Sequence, residues 1–187
     1  DIDRLSYVKQ NGRYPNNDAL YEAALQIMME KYAGKEGWTY PAYYLAVLYN
    51  TQGNDWKNSK NNNFRLKYKE AYALCSQIVD RYPNSAINTY AQQLQREITS
   101  PSVQLKVQSQ QYPNFPILAL SQYRNIDNIY LFTCNVDEKY IDKLKEERED
   151  AEFSDFINKT PVKKQEIQLA VSPDYQSYSS EVKVDEL

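Results

Sequence analysis

The apolar residues of this chain change their spacing once, near Pro101, and that change limits the fold more than any other feature. Before it they recur every three or four residues, the repeat of a helix with one buried face. After it they alternate, the repeat of half-buried strands. The sequence therefore predicts an α+β protein in two parts, a helical domain over residues 1–100 and a β-domain over residues 101–187.

In the first part, Leu20, Ala23, Ala24, Ile27 and Met28 form a helical stripe, with Asn17 or Asp18 able to cap its start and Gly34 and Gly37 to end it. A second helix opens near Thr39, carries Pro41 in its first turn and runs through Leu45, Ala46, Leu48 and Tyr49 toward Gly53. Residues 54–63 are rich in Asn and Lys and read as an exposed loop. A third helix holds Ala71, Leu74, Cys75, Ile78 and Val79 and stops at Pro83. Ser85 caps a fourth, whose face is Ile87, Tyr90, Ala91, Leu94 and Ile98. Beyond Pro101, alternation predicts strands over 103–107, 117–123, 129–136, 162–171 and 178–184. Pro113 and Pro116 bracket a turn, 125–128 reads as a hairpin-like connection, and a Pro173-Asp174 turn separates the last two strands.

Composition narrows the chemistry. The 187 residues include no histidine, which removes Ser-His and Cys-His nucleophile activation, histidine metal sites and the usual general base near neutral pH. Cys75 and Cys134 are too few for a zinc cage, and both lie in apolar runs that favour buried free thiols. The run Glu146, Glu147, Glu149, Asp150, Glu152 interleaves with Lys143, Lys145 and Arg148, the pattern of a solvated helix over 138–156 and not of a calcium loop. A net charge of −3 argues against a nucleic-acid partner, and no apolar run approaches the ~18 residues of a membrane span. No catalytic residue, cofactor site or metal site is expected; the chain reads as a binding or structural module and not an enzyme. Among the 18 tyrosines, Tyr40, Tyr43 and Tyr44 share one helical face. They are the candidate interaction surface, either a ledge on which a ligand stacks or packing between helices.

The segment Ala71-x3-Cys75-x2-Ile78-x4-Pro83 resembles the second helix of a tetratricopeptide repeat, and Leu45, Ala46 and Tyr49 resemble the first. The spacing between them exceeds the repeat by roughly a dozen residues, so the 53–63 loop reads as an insertion. An ordinary helical bundle is the alternative.

A longer order of segments carries a further resemblance. "YPNS" at 82–85 leads into a helix and is followed by "ITSPSVQLKV" at 98–107, "ILALSQYRNIDNIYLF" at 117–132 and "SPDYQSYSSEVKVDEL" at 172–187. Over residues 65–187 the chain resembles the amino-terminal region of α2-macroglobulin-like proteins of Bacteroidetes-type bacteria, in which a tetratricopeptide-like segment precedes the first macroglobulin β-domain. It departs at Tyr178, where the family often has histidine. The resemblance implies a protease-trapping parent protein that is periplasmic or outer-membrane-anchored, with its targeting segment elsewhere. It also implies a seven-stranded sandwich present here only in part, and partners that are the remaining domains of the parent chain and proteases. The open edge of a partial sandwich would also permit a homodimer. The thioester of some members needs Cys-x-Glu-Gln, whereas Cys75 precedes Ser-Gln-Ile and Cys134 precedes Asn-Val-Asp. The competing expectation, from tyrosine and asparagine richness, is a helical-repeat glycan- or nutrient-binding outer-membrane lipoprotein.

Overall fold

Residues 2–12, 16–58, 62–107, 117–134, 161–171 and 173–184 are described by a computed structural model. Five helices occur among them: α1 (Ile2–Asn11), α2 (Asn17–Lys31), α3 (Thr39–Asn54), α4 (Lys67–Arg81) and α5 (Asn88–Thr99). Pro41 lies in the first turn of α3, where a missing N–H removes no helical bond. Gly34, at φ 75, adopts the left-handed conformation that releases the chain after α2. At the end of α4 the Tyr82 N–H closes on Ile78 O at 2.9 Å, and Pro83 follows. The first helix, α1, was not foreseen from the spacing of apolar residues.

Each helix packs chiefly on the next in the chain. Tyr49, late in α3, donates its hydroxyl to Glu22, early in α2, at 2.7 Å. Gln95 of α5 donates to Ser76 of α4 at 2.8 Å. The first of these contacts pairs a late position of α3 with an early one of α2, so those two helices run in opposite directions. Leu25, Leu45, Leu48, Ile78 and Ile98 fill the core, each worth about 1.5–3 kcal/mol of burial. Ala42, Ala46, Ala71, Cys75 and Ala91 are buried among them and let the helix axes approach. The approach is close at Gly53, where an added Cβ would lie 2.9 Å from Tyr68 Cγ.

Two expectations for α2 are corrected. Its buried residues are Tyr21 and Leu25, while Leu20 is 60% and Ile27 65% exposed. The helix is rotated by one position from the expected stripe, which buries the large Tyr21 ring and sets its hydroxyl 3.0 Å from Ser6 of α1. Asn17 does not cap α2 with its side chain. Its amide instead donates to Lys9 O at 3.2 Å and Gly12 O at 2.6 Å, serving carbonyls at the end of α1.

The strands are β1 (Ser102–Val107), β2 (Ile117–Arg124), β3 (Asn128–Thr133), β4 (Lys163–Gln168) and β5 (Tyr178–Val184). They form two antiparallel sheets, one ordered β1-β2-β5 and the other β3-β4. The α+β class is thus observed, with five helices and small antiparallel sheets among the described residues. In the larger sheet Val103 lies opposite Tyr123 and Ala119 opposite Val182. Ala119, Ser121, Tyr123 and Val182 share its buried face, whereas Leu118 and Leu120 point the other way and are exposed. In the smaller sheet the paired Ile129 and Ile167 are half-buried, and Tyr130 and Phe132 are exposed on the opposite face. Gln165 of β4 donates to Lys183 O of β5 at 2.9 Å.

Several expectations for these strands are also corrected. The 125–128 connection is not a hairpin, because β1 and β5 occupy both edges of β2 and leave none for β3. Asn125, at φ 55, turns the chain from one sheet into the other. Strand β1 is not half-buried: Val103, Leu105 and Val107 are exposed, as suits the outermost strand of its sheet. Cys134 lies just past β3 and is half-buried, not buried. The 138–156 helix and the Pro113–Pro116 turn lie outside the described residues.

By contacts the chain divides into two units, Asp1–Pro101 with Ser172–Ser177, and Ser102–Val171 with Tyr178–Leu187. Within the connection from β4 to β5, residues 172–177 are thus grouped with the helical unit. Among the described residues, no helix is long and apolar enough to cross a membrane.

Candidate functional site

The three candidate tyrosines lie in the first turns of α3, at the i, i+3, i+4 spacing that gathers side chains on one face. They do not share one environment. Tyr40 is 44% exposed, while Tyr43 and Tyr44 are half-buried and pack against the helical core. The Tyr43 and Tyr44 rings meet edge to face at 6.0 Å. From α5, Tyr90 brings its ring to 6.1 Å from Tyr43 and remains 56% exposed. Burial raises the Tyr43 pKa, so the phenol stays protonated across the neutral range. The surface thus offers Tyr40 and Tyr90 to solvent, with Tyr43 and Tyr44 as packing beneath. Tyr90 was visible in the sequence only as a member of the α5 stripe.

A second cluster is built by residues far apart in the chain, all within the helical unit. Asp174 is 2% and Gln176 4% exposed, although both sit in a short non-helical segment between strands. The Asp174 carboxylate accepts from Arg65 Nε at 2.7 Å and from the Gln176 N–H at 3.1 Å. The Gln176 amide donates to Gly53 O at 3.1 Å and to Arg65 O at 3.2 Å. Gly53 O is one of the last carbonyls of α3 and also accepts the Trp56 N–H at 3.4 Å. Between the two acceptors, Tyr175 adopts φ 59 and lays its ring 5.4 Å from Tyr72 of α4. Arg65 in turn lies 5.8 Å from the Trp56 ring. In the sequence this segment read only as a turn.

A third cluster ties α2, α3 and α4 together. Lys67 sits 3.6 Å from the centroid of the Tyr49 ring and 3.7 Å from Glu22, which accepts the Tyr49 hydroxyl. Burial and that carboxylate together raise the Tyr49 pKa. Burial pushes the Cys75 thiol up to about 12, which suppresses the nucleophilic thiolate. Both cysteines are free thiols. Among the described residues no group of three or more acidic or cysteine side chains converges to hold a metal. A small open cavity of about 160 Å³ between α1 and α2 is lined by Leu5, Val8, Lys9, Asn17, Leu20 and Tyr21, without convergent polar groups.

No family model, curated protein or solved structure matches the chain.

Proposed function

We propose that this chain is a non-catalytic scaffold and interaction module from the amino-terminal region of a bacterial α2-macroglobulin-like protease-trap protein. In this reading the helices are tetratricopeptide-like hairpins and the strands are part of a macroglobulin β-sandwich. The parent protein is periplasmic or outer-membrane-anchored.

The α3–α4 pair is the observation that carries the proposal. Ala71, Cys75 and Ile78, the positions that match the repeat pattern, are all fully buried where α4 packs, and Leu45, Ala46 and Tyr49 are buried on α3. A repeat of this kind wants small residues where its two helices cross closely. Two features support the sandwich: the larger sheet buries one face and the smaller half-buries one, and Gln165 of one bonds to Lys183 of the other. Strand β1, with its apolar residues exposed, is an edge among the described residues at which further strands or a second copy would add.

The test is made on the full-length product of the gene. Mixed with a proteinase, it should block digestion of a large protein substrate while a small peptide substrate is still cleaved, because a steric trap excludes only the former. Equal inhibition of both substrates, or of neither, overturns the assignment. A second reading, a glycan-binding lipoprotein, is favoured by the exposure of Tyr40 and Tyr90 beside Tyr43. It requires tyrosine fluorescence to change on titration with oligosaccharides and the change to vanish in Tyr40→Ala/Tyr90→Ala.

A further inference from the structure

A five-residue segment with no secondary structure of its own rarely buries two polar side chains, since each must recover the hydrogen bonds it loses to water. Asp174 and Gln176 both do so, on partners more than one hundred positions away in sequence. The partners form a slot made by the end of α3, the 3-10 turn Asn62–Leu66 and the side of α4. Its chemistry is specific at three consecutive positions. The Arg65 guanidinium takes a carboxylate. The Tyr72 ring takes an aromatic side chain. The carbonyls of Gly53 and Arg65 take both hydrogens of one primary amide, which a carboxylate at that position could not supply. The middle residue, Tyr175, is held in the left-handed region, where a non-glycine residue costs on the order of 1–2 kcal/mol and persists only when its surroundings fix it.

We infer that this slot is a peptide-recognition site for an Asp-aromatic-Gln turn, occupied in cis by the chain's own Asp174-Tyr175-Gln176. A partner protein presenting the same turn would compete for it. The tethered segment holds the site closed in the meantime, because a short tether gives an effective concentration in the millimolar range. The inference stands on these contacts alone and is independent of the macroglobulin-like assignment.

The experiment uses the whole chain, wild type and Asp174→Ala/Gln176→Ala, with a fluorescent synthetic peptide spanning residues 172–178. The peptide should bind the variant at least about tenfold more tightly than the wild type, whose slot is filled. It should also raise the melting temperature of the variant alone. A peptide carrying Gln→Glu at the position of Gln176 should lose that binding. If the variant is unfolded on its own, the wild-type peptide should restore its helical circular dichroism and the Glu peptide should not. A folded variant that ignores the peptide overturns the inference, as does an unfolded one that the peptide fails to rescue, or a wild type that binds as tightly as the variant.

Discussion

Replacing Gly53 by alanine sets two effects of opposite sign against each other. Alanine favours helix over glycine by up to about 1 kcal/mol in a helix interior. Gly53 is the penultimate residue of α3, where less of that gain is realised. Against it, the new Cβ would lie 2.9 Å from Tyr68 Cγ, 3.0 Å from Cδ1 and 3.1 Å from the Tyr68 backbone nitrogen. A flexible side chain could swing aside, but Tyr68 is buried and its backbone belongs to α4, so the helices themselves must part. Overpacking of this kind costs about 1–3 kcal/mol. Parting the helices also moves Gly53 O away from the Gln176 amide that it accepts at 3.1 Å. The clash wins, and Gly53→Ala should lower stability by about 1–2 kcal/mol net. For a unit of this size that is a fall of roughly 5–10 °C in the melting temperature. Far-UV circular dichroism melts measure it, with Thr51→Ala, on the exposed side of the same turn, as the control that should shift little. A Gly53→Ala protein as stable as the wild type, or more so, would refute the close approach of α3 and α4.

Other substitutions test other parts of the fold. Leu25→Ala should cost about 2–5 kcal/mol in urea unfolding and Leu20→Ala far less, which distinguishes the observed face of α2 from the one its stripe suggests. Gly34→Ala should destabilise by about 1–2 kcal/mol through its positive φ alone, since nothing lies within 4 Å of the added Cβ; Gly34→Asn should recover part of that loss in the same melts. Thiol titration of the native protein should label Cys134 and not Cys75, and both after denaturation; two labelled thiols in the native state would contradict the burial of Cys75. The folded state holds the Cys75 proton more tightly than the unfolded state does. Its contribution to stability is therefore present below pH about 9 and lost as pH rises toward about 12, and that part of the alkaline fall should be absent in Cys75→Ala.

Much of the fold is written locally. Alternation from Val103 onward marks the strands, and helical spacing with Pro41, Pro83 and Gly34 marks the bounds of α3, α4 and the end of α2, because backbone periodicity and special φ values are properties of neighbouring residues. The candidate tyrosines were legible as a shared face, but their exposure was not: whether a ring on that face is wet or packed depends on Tyr90, which arrives from another helix. The same limit applies to α2, where stripes one position apart fit the sequence and the choice between them was made by packing on α3 and by Ser6 of α1. Sheet membership was equally hidden, since a turn at 125–128 looks alike whether β3 returns along β2 or departs for another sheet. The 173–177 segment is the extreme case. Its residues carry ordinary turn chemistry, and only the tertiary structure brings Arg65, Gly53 and Tyr72 to them, because hydrogen bonds between groups one hundred residues apart leave no periodic trace in a sequence.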